Sequence, residues 1–344
     1  MTRRLLGLDN PTVADSLTRA RFPTLPAAAG GYESYYVKAA HPSEPLAFWI
    51  RYTVHKRPGE RPKGSLWFTL FDEVALGPEA SKTTLPPEKL AATTDDLIRI
   101  GESVFREGLL RGAAPSDPLD ASWDLRFKSG EVPLHHLPRD WMYTAALPRT
   151  KVLSPWPAAR FSGRVTAGPR TIEVDEWPGM VGHNWGAQHA ERWVWMHGAG
   201  FDERPDAWID MALGRIKLGP VTTPWIANGA LSLDGERLRL GGIERTRSTE
   251  MAERPEGCEF ALTGSGVRVR GSVWAERKDV VGWVYADPDG SEHNTMNCSI
   301  ATMALTVERS GAAPFTLTGR AGAAYELGMR EGNHGIRLQP FSDG

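Results

Sequence analysis

The sequence predicts an all-β chain built as two consecutive antiparallel β-barrels with few short helices. Three observations carry that expectation. Aromatic and β-branched residues gather in short runs bounded by Pro, Gly, Ser and charged residues, the pattern of meandering strands. The 13 tryptophans recur inside these runs and not at helical spacing. A Tyr-rich strand followed by Trp49 and then Trp67 is echoed by Trp193 and then Trp208, at offsets of 144 and 141 residues. Such offsets suit one small barrel of about 150 residues.

The first strands fall at 32–38 (YESYYVK), 46–55 (LAFWIRYTVH) and 64–72 (GSLWFTLFD). Further runs at 97–106, 122–128, 160–167 and 170–176 continue the meander, the last two joined by a turn at Gly168 and Pro169. Alternation lapses in the Gly/Pro segment 177–188 and resumes at 191–201, 207–217, 236–242, 258–264, 267–275, 280–286, 299–309 and 314–320. The segments 11–20 and 85–96 each have room for a turn or two of helix, limited by prolines. The boundary between barrels is placed in the Gly/Pro segment, giving an N-terminal domain 1–187 and a C-terminal domain 188–344.

Composition excludes several functions. With 40 Lys plus Arg against 42 Asp plus Glu the net charge is −2. No basic run offers a nucleic-acid footprint, so no nucleic acid is expected as a partner. Mean hydropathy is −0.36, and no apolar stretch approaches the ~20 residues of a membrane span. The start, MTRRLLGLDNPTVADS, lacks the apolar core of a secretory signal, which points to a cytoplasmic protein. Cys258 and Cys298 read as two buried thiols. Neither a Gly-x-Ser-x-Gly elbow nor a phosphate loop nor a dinucleotide fingerprint is present, and no cofactor is expected.

The most informative stretch is 179–198, GMVGHNWGAQHAERWVWMHG, which sets His183, His189 and His197 among Trp185, Trp193 and Trp195. Ten residues on, Trp208-Ile209-Asp210 places an aromatic and a carboxylate two apart, on one face of a strand. The three histidines, six and eight residues apart, fit no recognised ligand pattern, so no metal site is expected. The pair His135-His136 lies between Pro133 and Pro138 and reads as a loop.

The Tyr-rich start, SPWPAARFSG, GMVGHNWG and the strand carrying Asp210 together resemble the two-barrel, lipocalin-like family of carotenoid 1,2-hydratases and AttH-type proteins, and more distantly tocopherol cyclases and decalin-forming pericyclases. The resemblance covers nearly the whole chain in layout and is specific over 151–216. It implies two consecutive lipocalin-like (calycin) barrels, a hydrophobic pocket, and use of a His-x-Trp and a Tyr-x-Asp pair. Here His183-Asn184-Trp185 matches the first, and Trp208-Ile209-Asp210 matches the second with Trp in place of Tyr.

The residues suggest chemistry of that kind in their own right. Protonating a carbon–carbon double bond needs a strong acid and protection of the cation formed. A carboxyl desolvated in an apolar pocket has a raised pKa, which makes Asp210 the candidate acid. The faces of Trp185 and Trp208 attract a cation, and His183 can orient Asp210 or activate water. Trp193, Trp195 and Asn184 complete the expected substrate wall. The leading reading is a hydratase or cyclase of lyase type, using no cofactor, on a bulky isoprenoid, polyene or polyketide, taken up from solution or by peripheral contact with a membrane. The competing reading is a carrier that binds such a molecule and performs no chemistry, since Trp208 lacks the hydroxyl that could position water. The sequence does not set the oligomeric state.

Overall fold

The computed structural model describes residues 13–117 and 119–343. The stretch from which the absence of a secretory signal is read lies largely in residues 1–12, outside the described residues, as does the start of the segment 11–20. What is described there is a short helix, α1 (Val13–Thr18).

Two antiparallel sheets organise the chain. The first comprises β1 (Gly31–Ala40), β2 (Leu46–Lys56), β3 (Lys63–Asp72), β4 (Glu79–Leu85), β5 (Leu90–Ala91), β6 (Ile98–Ile100), β7 (Ser103–Arg106), β8 (Leu109–Pro115), β9 (Asp120–Lys128), β10 (Leu134–His135), β11 (Thr150–Ala167) and β12 (Arg170–Gly186). Its order is β4-β3-β2-β1-β12-β11-β9-β8-β7-β6-β5, with β10 added on β11. Hydroxyls of β4 reach across to β8, where Ser81 bonds the Ala114 carbonyl and Thr83 donates to the Pro115 carbonyl, drawing the sheet round into a barrel.

The second half holds β13 (Arg192–Ala199), β14 (Trp208–Arg215), the small hairpin β15 (Lys217–Leu218) and β16 (Val221–Thr222), β17 (Ile226–Leu233), β18 (Glu236–Gly241), β19 (Glu250–Arg254), β20 (Gly257–Gly264), β21 (Val267–Trp274), β22 (Val281–Ala286), β23 (Glu292–Arg309) and β24 (Phe315–Met329). The sheet order is β18-β17-β14-β13-β24-β23-β21-β20-β19, with β18 returning to β20 and β22 paired to β23. The chain is thus all-β, two barrel-like antiparallel sheets with only short helices among the described residues.

Three local expectations are revised. The Gly/Pro segment 177–188 is, through Gly186, the second half of the 17-residue strand β12. Its glycines serve close packing and not a loop. A Cβ on Gly182 would sit 2.1 Å from the Tyr36 ring, and one on Gly179 would sit 2.1 Å from the Lys38 carbonyl oxygen. The run 97–106 is a hairpin folded at Gly101, whose φ of +60° is available to glycine without strain. The segment 85–96 holds one 3-10 turn, Pro87–Lys89, in place of a longer helix.

Each barrel fills its own interior. Tyr35, Val37, Phe48, Ile50, Phe68 and Val181 belong to the first core; Val194, Met196, Ile209, Met211, Cys298 and Met303 belong to the second. Strands β1, β2 and β3 are buried almost throughout, on both faces, because their outward side chains pack on the second barrel. Trp49 and Trp67 reach Trp283, and Trp67 meets Tyr285 edge-on at 5.7 Å. Cys258 and Cys298 are buried free thiols, each pushed up to about 12 by burial.

Candidate functional site

Because side chains alternate across a strand, each barrel's interior pattern fixes what faces the seam between the barrels. On β1, Ser34, Tyr36 and Lys38 point out. Trp195 and His197 on β13 and Trp208 and Asp210 on β14 point out from the second barrel, opposite Val194, Met196, Ile209 and Met211 in its core. Tyr36, Met180, Trp195 and Ala324 form one cluster across that seam.

Asp210 lies there with no exposed surface. Its Oδ1 accepts the Trp195 indole N–H at 3.1 Å, and its Oδ2 accepts the Ser154 hydroxyl at 2.5 Å. His136 Nε2 stands 3.1 Å from Ser154 Oγ and 3.5 Å from Asp210 Oδ2. The His136 Nδ1–H donates to the Asn228 carbonyl at 3.0 Å. Ser154 has a single hydrogen and gives it to the carboxylate, so its contact with His136 requires an Nε2–H as donor. The serine hydroxyl thus bridges the carboxylate and the imidazole and can relay a proton between them. His197, the cross-strand partner of Asp210, donates Nε2–H to the Pro157 carbonyl at 2.9 Å.

The electrostatics differ from the sequence expectation. Burial raises the Asp210 carboxyl, but the adjacent His136 ring and its hydrogen bond, together with His197 and Ser154, outweigh it and hold the group below the ordinary carboxylate value. Asp210 is therefore kept as the carboxylate. Burial and the Lys38 charge push His197 down to about 4, against the pull of Asp210. Burial likewise pulls Lys38 down to about 7.

His136 is the residue the sequence reading sets aside. It sits at the end of β10, in the strap 129–149 that links β9 to β11 and lies on the second barrel. Arg237 donates to the Val132 and Pro133 carbonyls, and Arg239 donates to the carbonyls of His135 and His136. Arg237 also lies over the Trp208 ring at 5.0 Å. If extended, His135 and His136 must face opposite ways, and they do: His135 pairs with exposed Asp140 while His136 is buried.

The structure does not bring His183 to Asp210. His183 and Trp185 face the side of β12 turned away from the seam, while Asn184 shares the seam face with Gly182 and Met180. The His183 ring stacks on Tyr35 at 4.1 Å and on Trp185 at 4.5 Å, and its Nε2–H donates to Glu33 at 2.8 Å. Glu33 in turn accepts the backbone N–H groups of Arg21 and Phe22. Burial lowers the His183 pKa against the upward pull of Glu33. Trp185 packs with Leu17 of α1, Tyr143 and Leu153. Trp193 lies further along the seam, its indole N–H bonded to Glu326.

A polar stripe on β23 forms part of the seam wall and has no counterpart in the sequence reading. His293, Thr295, Asn297 and Ser299 occupy alternate positions, all fully buried, and β23 packs against β1, β2 and β3. Thr295 Oγ1, Asn297 Oδ1, Ser299 Oγ and Arg51 Nη1 have no hydrogen-bond partner among the described residues. The stripe is legible as HNTMNCS, polar at every second position, once its strand is known to start at Glu292 and not near 299.

No family model matches the chain. An uncharacterised protein of Mycobacterium tuberculosis is 25% identical over 327 residues, 92% of this chain and 95% of its own length. Among solved structures, a putative AttH from Nitrosomonas europaea matches with TM-score 0.51 and 13% identity, over 90% of this chain and 96% of its own. Kievitone hydratase from Nectria haematococca matches with TM-score 0.55 and 12% identity, over 90% and 91%. CghA with Sch210972 matches with TM-score 0.52 and 13% identity, over 88% of each chain. The chain therefore has the two-barrel fold shared by the AttH-type protein, kievitone hydratase and CghA.

Proposed function

We propose that this chain is a hydratase or cyclase that acts on a bulky apolar molecule in the seam between its barrels, with its own side chains as acid and base. The observation that carries the reading is the buried relay Asp210–Ser154–His136, set against Trp195 and Trp208. Asp210, held as the carboxylate, is the base, and the Nε2–H of His136, which reaches it through Ser154, is the acid. Even an imidazolium is too weak an acid to protonate an isolated alkene. The cluster suits a double bond conjugated with a carbonyl, where water oxygen bonds to the β-carbon, the α-carbon gains a proton, and the carbonyl oxygen carries the intermediate charge. Ring closure follows the same logic when a carbon replaces water as the nucleophile. The unpartnered Arg51, Thr295, Asn297 and Ser299 groups supply donors and acceptors for substrate oxygens. This favours a polyketide-like substrate over a plain isoprenoid.

The relay has almost no exposed surface, and His136 reaches it from the strap 129–149. Val132, Trp141 and Leu147 on that strap are exposed and give an apolar lip for a molecule drawn from a lipid surface. His183 is given a structural role, holding Glu33, which in turn fixes the chain at Arg21 and Phe22. A carrier is the second reading, favoured by Trp208, whose indole nitrogen has no hydrogen-bond partner among the described residues.

The test is to incubate the full chain with conjugated enones and polyenes and follow products by mass spectrometry. Gain of one water, or an unchanged mass with altered retention, that disappears in Asp210→Asn supports the reading. Ligand-induced quenching of tryptophan fluorescence with no product from any of them supports the carrier instead.

A further inference from the structure

The three histidines of the 179–198 stretch do not meet, but the fold gives one of them a different set of partners. His189, in the segment between β12 and β13, lies against Asp287 and His293, which flank the hairpin joining β22 to β23. His189 Nδ1 is 2.7 Å from Asp287 Oδ1, and His293 Nδ1 is 3.8 Å from Asp287 Oδ2. One donor atom from each of the three lies within 4.8 Å of the others. Neither ring nitrogen of His293 has a hydrogen-bond partner among the described residues, although the residue has 0% exposure. Burial of imidazole nitrogens without partners is costly and calls for an explanation. The rings are also held in place: Tyr32 stacks on His189 at 3.9 Å, and Trp193 lies 5.3 Å from His189 and edge-on to His293 at 5.1 Å.

We propose that His189, Asp287 and His293 bind one divalent transition-metal ion of the zinc type. Two imidazoles and a carboxylate are the donor set such ions prefer, and magnesium or calcium would ask for more oxygens. A tetrahedral ion with bonds of about 2.0–2.2 Å separates its ligand atoms by about 3.3–3.5 Å, between the two separations found. On binding, His189 exchanges its bond to Asp287 Oδ1 for the ion, and His293 gains the partner it lacks. Three protein donors leave a fourth position open. Ser291, whose hydroxyl donates to Asp287 Oδ2 at 3.2 Å, orients the carboxylate. The ion would tie the inter-barrel segment to the second barrel. It would lie near Tyr32, about 13 Å along β1 from Tyr36 at the Asp210 end of the seam.

The inference is independent of the hydratase reading and is tested without substrate. Tag-free full chain, stripped with a chelator, is titrated with Zn2+ against a chromophoric competitor, and separately with Co2+. One ion per chain, visible absorption of tetrahedral cobalt, and at least a tenfold loss of affinity in His293→Ala and Asp287→Ala are expected, with His334→Ala unchanged. X-ray absorption of the zinc-loaded parent, which needs no variant to fold, should show two imidazoles and oxygen. A stoichiometry other than one, a zinc shell lacking imidazole, or unchanged affinity in folded His293→Ala overturns the proposal.

Discussion

Tyr35 and Tyr36 are neighbours in the chain and face different compartments: Tyr35 lies flat on His183 at 4.1 Å, and Tyr36 meets Trp195 edge-on at 5.3 Å across the seam. Between them they separate the groups that serve folding of the first barrel from those that surround Asp210.

The relay predicts non-additive losses. Asp210→Asn keeps the shape and removes the charge, and should lower kcat about 10²–10⁴-fold. Ser154→Ala breaks the same path, so steady-state kinetics of the double variant should fall little below the worse single one. Independent, multiplying losses would show that the two residues do not act as a unit.

His183→Ala and Glu33→Gln should cost stability and spare chemistry. Each removes a buried partner, worth about 1–3 kcal/mol. Urea unfolding should register the loss, while kcat per folded molecule stays near that of the parent. A large fall in kcat with unchanged stability would return His183 to the catalytic machinery.

Lys38 gives the fold a pH signature. Its folded value, about 7, lies below that of an unfolded lysine. The unfolded chain therefore holds the extra proton between about pH 7 and 10.5, and this residue's contribution to stability rises with pH across that window. The slope is about 1.4 kcal/mol per pH unit. Denaturation of Lys38→Met at pH 7 and pH 9 should show a smaller rise than the parent; an identical rise would mean that Lys38 is not desolvated.

His197 acts at the acid side. With its folded value near 4 and an unfolded value near 6.5, stability is lost as pH falls from about 6.5 towards 4. In His197→Gln that acid-side loss should be shallower, as read from melting temperatures at pH 6.5 and 4.5.

Gly182→Ala should destabilise by about 1–3 kcal/mol, because the new methyl meets the Tyr36 ring. Combining it with Tyr36→Ala should recover part of the loss, measured by a double-mutant cycle in urea. Simple addition of the two losses would mean that the clash is relieved by backbone movement.

Much of this arrangement is legible in sequence, and the failures have a common cause. The family resemblance pairs His183 with Trp185, alternation pairs Asp210 with Trp208, and each pair does share a face. Whether two such faces meet depends on which side of each strand its barrel buries, and that is set by long-range pairing. His136 escaped because its partner Asp210 is far along the chain, and a loop reading hid a buried side chain. The Gly/Pro segment read as a break because glycine in a strand gives no hydrophobic period. Its meaning came from Tyr36 and Lys38 on the neighbouring strand. Burial does raise the Asp210 carboxyl, but the contacts supplied by His136, His197 and Ser154 from distant parts of the chain outweigh it.

Trp49, Trp67 and Phe71 belong by sequence to the first barrel and by packing to the hydrophobic cluster of the second. Unfolding either half would strip water-excluding cover from the other, so the two halves should melt in a single cooperative transition despite their separate interiors. The same dependence bears on how such a chain diversifies. Residues on the outer faces answer to both barrels at once, whereas lumen residues can change within one of them, so a change of ligand specificity at the seam would call for paired substitutions drawn from both halves.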